Sequence, residues 1–125
     1  MSDDAGQTLF NVDSLPTVRE LLISFNGDSF SVSKDNVPFV IGRDESCDLS
    51  VESQFASRQH CRILFQNKNF VLEDSSTNGT FVRMGMAQPS QLNNTLTVIT
   101  GNGVLKLGES IAVGDKQVVQ FKAIY

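Results

Sequence analysis

The sequence lacks any concentration of positive charge. Ten Lys and Arg stand against fourteen Asp and Glu, a net charge of −4, and there is no basic run. Bulk nucleic-acid binding and polybasic membrane contact both need clustered Lys and Arg, so neither is expected. No apolar stretch approaches the roughly 20 residues of a membrane-spanning helix. Residues 1–6 are acidic and polar, without the charged-then-apolar order of a secretory signal, and a cytoplasmic location is therefore expected. Cysteine and histidine are scarce. Cys47 and Cys61 form no CxxC pair and His60 is the single histidine, which leaves too few ligands for a zinc site. In a reducing compartment two free thiols are expected rather than a Cys47–Cys61 disulfide. Also missing are paired carboxylates, a nucleophile–base pair and a Gly-rich phosphate cradle. Gly101-Asn102-Gly103 lacks the third glycine of a dinucleotide fingerprint and opens no helix. A lone His60 near Ser57 is not a triad, since nothing places an orienting carboxylate behind it. Neither an enzymatic reaction nor a cofactor is expected.

What is present suits one globular domain. The chain has 125 residues with 40% hydrophobic content, enough to bury a core but too short for two domains. Residues 1–18, polar and holding Pro16, read as a tail or linker, and residues 19–125 read as the domain. From Arg19 onward the dominant period is two. Leu21, Ile23 and Phe25 alternate, Asn26-Gly27 supplies a type I′ hairpin, and Phe30 and Val32 alternate with serines. Further short strands are expected at Phe39–Ile41, at Leu49 and Val51, and across Cys61, Ile63 and Phe65. After a turn at Asn67-Lys68-Asn69, more follow at Phe70 and Leu72, at Phe81, at Leu96 and Val98, and at Leu105 and Leu107. The last two are expected at Ile111 and Val113, and from Val119 to Tyr125. Residues 88–103 form the least regular part. Many short strands with Gly and Asn turns, and no convincing helix, predict an all-β sandwich or barrel, whose binding residues should lie in loops clustered at its ends.

Three inter-strand segments stand out: Gly42-Arg43, Ala56-Ser57-Arg58-Gln59-His60, and Ser75-Ser76-Thr77-Asn78-Gly79-Thr80. They combine guanidinium groups, hydroxyls, a carboxamide and loop N–H groups, the chemistry of an oxyanion grip. Four of the five arginines, Arg43, Arg58, Arg62 and Arg83, fall between residues 42 and 83, so a locally basic surface is expected here on a chain that is acidic overall. Taken singly, each residue has an ordinary reading. Arg43, Arg58, Arg62 and Arg83 suit solvated strand ends, Ser57 and Thr77 suit turn caps, and Asn78-Gly79 suits a plain turn. Phe55, two residues before Ser57, suits either a core anchor or a contact to a ligand.

In their order and spacing the three segments resemble the signature of the forkhead-associated (FHA) domain. The wider stretches FVIGRDESCDLSV, ASRQHCRI and FVLEDSSTNGTFV extend the likeness over residues 19–125. The resemblance implies an eleven-stranded β-sandwich whose end loops hold a phosphothreonine-containing segment of a partner. It implies that Arg43 and Ser57 contact the phosphate, assisted by Arg58 and Thr77. Asn78 would bond the partner's backbone, with Gly42, His60 and Gly79 shaping the loops. Such a domain is expected to act as a monomeric, signalling protein–protein interaction module. A docking or structural domain that works without phosphate is the alternative. The longer stretch between Phe81 and Leu107, ending in Gly101-Asn102-Gly103-Val104-Leu105-Lys106-Leu107-Gly108, is similar to FHA domains joined to bacterial class III nucleotide cyclases. On that likeness the chain is a regulatory piece of a larger enzyme.

Overall fold

The computed structural model describes residues 17–125, so the expected tail or linker over 1–18 lies, apart from Thr17 and Val18, outside the described residues. Alternating apolar residues cannot all face water, and they resolve into eleven strands. These are β1 (Glu20–Phe25), β2 (Asp28–Ser33), β3 (Phe39–Gly42), β4 (Leu49–Ser50), β5 (Cys61–Gln66) and β6 (Asn69–Asp74). The rest are β7 (Thr80–Met84), β8 (Ser90–Leu92), β9 (Leu96–Ile99), β10 (Asn102–Leu107) and β11 (Val119–Ile124). One sheet runs β2-β1-β11-β10-β7-β8 and the other β4-β3-β5-β6-β9. All pairings are antiparallel except the short β3–β4 bridge. The two sheets face each other across one core, an all-β sandwich as expected.

The period-two reading chooses the inward face correctly. Leu21 and Ile23 of β1, Leu105 and Leu107 of β10, and Val119, Phe121 and Ala123 of β11 are buried against Ile41, Ile63, Phe70 and Leu72 of the other sheet. Burying each large side chain contributes about 1.5–3 kcal/mol. Both tight hairpins form where Asn marks them. Asn26 and Gly27 adopt φ of 51° and 88°, and Asn67 and Lys68 adopt 52° and 67°, the positive values a two-residue hairpin with matching twist requires. Cys47 and Cys61 are free thiols. Burial pushes the Cys61 thiol up to about 12.

Two stretches differ from expectation. Ile111 and Val113 belong to no strand; residues 108–118 form a loop with Val113 fully exposed. Asp115 supplies the reason, because its carboxylate accepts the N–H groups of Ala112 and Gln117 as well as the Lys106 ammonium. Local side-chain bonds of this kind compete with a strand ladder for the same backbone donors. Within residues 88–103, Ser90–Leu92 forms β8, paired to β7, although only Leu92 of its three residues is apolar and buried.

Candidate functional site

The three segments singled out in the sequence meet at one end of the sandwich, laced by hydrogen bonds between loops. The Arg43 N–H donates to the Ser57 carbonyl at 2.9 Å and the Asp44 N–H to the Arg58 carbonyl at 3.1 Å. The Thr77 N–H donates to Ser57 Oγ at 3.1 Å, and Asn78 Nδ2 donates to the Phe55 carbonyl at 3.0 Å. Gly42 makes the first contact possible. A Cβ there would stand 2.1 Å from the Arg58 carbonyl oxygen, so only glycine lets β3 lie against the Ser57–His60 turn.

These bonds leave a defined set of groups for a ligand. Arg43 is exposed, and its Nε donates to the Ala56 carbonyl at 3.0 Å, which fixes the guanidinium while its terminal nitrogens stay open. Ser57 Oγ accepts from Thr77, so its own proton is free to point elsewhere. Arg58 and Thr77 are exposed, and their side chains make no hydrogen bond or ion pair among the described residues. Asn78 keeps one N–H and its Oδ1 unengaged among the described residues. Two guanidinium groups, two hydroxyls and a carboxamide thus open at one surface, a donor set suited to a multiply charged oxyanion. Asp44, beside them, has its carboxyl held below the usual carboxylate range, chiefly by hydrogen bonds from Ser46, with Arg58 and Arg43 adding to the effect.

His60 is beneath this surface, fully buried. Its Nδ1 accepts the Ser57 N–H at 2.9 Å, which obliges Nε2 to carry the hydrogen and donate to the Gly79 carbonyl at 2.8 Å. The neutral ring therefore clamps the Ser57 loop to the Asn78-Gly79 loop. Burial lowers its pKa, against smaller opposite effects from Gly79 and from Asp74, whose Oδ1 is 3.9 Å away. The Gly79 carbonyl also accepts from Gly108 N–H, tying in the segment after β10.

The sequence reading missed the residue at the centre of this support. Buried Asp74 accepts from Ser76 Oγ at 2.6 Å and Thr80 Oγ1 at 2.7 Å, and its other oxygen accepts from the Asn94 N–H at 2.8 Å. Ser76 in turn accepts the Gly79 N–H at 2.8 Å. One carboxylate thus holds the loop carrying Thr77 and Asn78 to the loop before β9. The signal available was an Asp followed by hydroxyl residues two and six positions later. Phe55, left open between core and ligand, is outside the buried core: it is 41% exposed, and its carbonyl accepts from Asn78. Arg62 pairs with Glu73 on the outer face of β5, and Arg83 is on β7, so neither is tied into these loops.

The sequence matches the family model described as "FHA domain" over residues 39–114, more than half of the chain. No curated protein matches it. Among solved structures the chain is similar to the Mycobacterium tuberculosis Rv1747 FHA-1 domain, at 19% identity and a TM-score of 0.66, over 86% of this chain and 99% of that one. It is also similar to the MEK1 FHA domain in complex with a HOP1 phosphothreonine peptide, at 19% identity and 0.64, over 86% and 100%. A third likeness is to the FHA domain of an Arabidopsis thaliana hypothetical protein, at 20% identity and 0.63, over 90% and 92%. Identities this low speak to the fold of the chain.

Proposed function

The chain belongs to the FHA family, and from that premise we propose that it is a phosphothreonine-dependent protein–protein interaction module with a regulatory or signalling role. The single observation that carries this reading is the convergence of the Arg43 guanidinium, the Ser57 hydroxyl and the Asn78 carboxamide on loops locked together by neutral His60. Arg43 and Ser57 take the phosphate oxygens, and Arg58 and Thr77 assist from the exposed rim. Asn78, with one N–H and Oδ1 in hand, bonds the partner's backbone beside the phosphothreonine. Gly42, His60 and Gly79 hold the loops. The similar MEK1 domain carries a phosphothreonine peptide, which supports the same ligand class here. A scaffold working without phosphate would need none of these open donors. The module needs no cofactor, acts as a monomer in the cytoplasm, and addresses neither nucleic acid nor membrane. The long stretch between Phe81 and Leu107 favours a finer reading, that the domain regulates an attached bacterial nucleotide cyclase; the coding sequence beyond Tyr125 tests it.

Calorimetric titration with matched peptides tests the main reading. The phosphothreonine form should bind and the unphosphorylated form should not; equal binding of the two would overturn it. Phosphothreonine should exceed phosphoserine by about fivefold, because one buried methyl is worth roughly 1 kcal/mol.

A further inference from the structure

Beside the loops that carry Arg43, Ser57 and Asn78 is a pocket of about 250 Å³ that the phosphate grip leaves unused. One wall is residues 51–55, just before the Ser57 turn, and the other is the end of β10 with the loop after it. Buried Val51, Leu107 and Val119 form its base, and exposed Glu52 stands at its rim.

Gly108 fixes this pocket against the site. Its N–H donates to the Gly79 carbonyl at 2.9 Å, and a Cβ there would stand 2.1 Å from the Phe55 carbonyl oxygen. No side chain fits, so the end of β10 presses directly on the backbone of Phe55. Phe55 belongs to both places. It lines the pocket, and its carbonyl accepts from Asn78 Nδ2 at 3.0 Å. A partner segment bonded by the remaining donor and acceptor of Asn78 therefore has the pocket beside it.

Charge says which side chain of that segment suits the pocket. Lys106 Nζ donates to Asp115 at 2.5 Å and stands 4.0 Å from Glu109. Asp115 thus engages the single cation of the pocket. The Glu109 side chain stays 44% exposed, and Glu52 has no side-chain hydrogen bond or ion pair among the described residues. The pocket mouth is left negative, next to a grip whose open guanidinium groups are positive. A segment complementary to both halves carries a phosphate and, close by, a cation. The apolar base adds a demand for a long aliphatic stem, which lysine and arginine lay along such surface while the charged head stays at the rim. A carboxylate in the same place would meet two like charges.

We propose that this pocket is a second subsite of the phosphothreonine surface, selecting partner segments with a lysine or arginine near the phosphothreonine, its cationic head facing Glu52 and Glu109. It rests on the phosphothreonine reading and adds to it the charge the partner carries beside the mark.

The test is a lysine scan by calorimetry on the full chain. A phosphothreonine peptide in an alanine background takes one lysine at each of the four positions on either side. Norleucine, which has the stem without the charge, takes the same places. One position, or two that share a side, should bind about fivefold tighter with lysine than with norleucine, the upper range of an exposed ion pair. Added salt should shrink the advantage. Glu52→Gln and Glu109→Gln should each reduce it and together remove it. If Glu109→Gln lowers the melting temperature, exposed Glu52→Gln decides: about twofold loss of the advantage supports the subsite, and no loss refutes it. Equal gains at every position would be only the general pull of an acidic chain on a cation, and would overturn the proposal. So would an advantage that survives both variants. If the phosphorylated alanine peptide binds and no lysine improves it, the subsite alone falls. If that peptide binds no better than its unphosphorylated form, the phosphothreonine reading falls and the subsite with it.

Discussion

Arg43 and His60 belong to one site and should fail in opposite ways. Arg43 is exposed and contributes a single side-chain bond to the loop, to the Ala56 carbonyl. Arg43→Ala should therefore abolish phosphopeptide binding, with a loss of about 2–5 kcal/mol, while the melting temperature barely moves. Near-normal affinity by calorimetry would remove Arg43 from the phosphate. His60 is buried, with both ring nitrogens committed. His60→Ala leaves the Ser57 N–H unpaired beside a cavity, with the Gly79 carbonyl held by the Gly108 N–H alone, and should cost about 2–4 kcal/mol of stability. An unchanged thermal melt combined with lost binding would make the imidazole a ligand instead. The open donors were legible in the sequence, because Arg, Ser and Asn advertise their chemistry wherever they stand. Asp74 was not. An Asp before two serines reads as a turn residue, and its partners Thr80 and Asn94 converge on it only once β7 and the loop before β9 are folded.

At the scale of elements, strands announced by alternation or by an Asn-Gly turn were legible, and those defined by a neighbour were not. Ser90–Leu92 becomes a strand because β7 offers it a ladder, and residues 108–118 stay a loop because Asp115 takes their N–H groups. Register between elements is equally invisible in sequence, yet it decides what a substitution does, as two glycines show. Gly27 sits in the β1–β2 hairpin at φ 88° with open space around it. Gly27→Ala should cost about 1 kcal/mol of backbone strain and leave affinity for phosphopeptide unchanged. Gly42 has ordinary backbone angles but faces the Arg58 carbonyl, where a Cβ would meet backbone atoms at 2.1–2.9 Å. Gly42→Ala must push β3 away from the Ser57–His60 turn. The expected cost is about 1–3 kcal/mol, a fall in melting temperature of roughly 5–20 °C for a domain of this size, together with loss of binding. Melting curves and titrations of both variants check the contrast; if Gly42→Ala kept full affinity, the close approach would not position the site.

Taken as a whole, the molecule should respond to acid in two separable ways. The first is stability without ligand. Burial lowers the pKa of His60 from its ordinary value of 6.5, so below that pH the unfolded chain binds a proton that the folded chain resists. The stability due to neutral His60 is complete above about pH 6.5 and drains away as pH falls below it. The contribution of Asp44 has the usual carboxylate sign. Its pKa lies below 3.8 in the folded chain, so that share survives until pH approaches 4. Between pH 7.5 and 5.5 the melting temperature should therefore decline on account of His60, and His60→Gln should flatten the slope. The second response is affinity. A phosphate monoester loses its dianion near pH 6, while Arg43 and Arg58 keep their charge throughout. Binding should weaken over the same interval, and added salt should weaken it at every pH because the arginines are exposed. A proton on His60 cannot offset this loss. The ring is out of reach of the surface, and protonating Nδ1 would set a donor against the Ser57 N–H and loosen the loop that carries the Ser57 hydroxyl. Phosphopeptide titrations from pH 7.5 to 5.5, with the fold checked at each point, measure this directly. Tighter binding at the acidic end would mean that His60 reaches the phosphate as a cation, and the buried clamp would have to be abandoned.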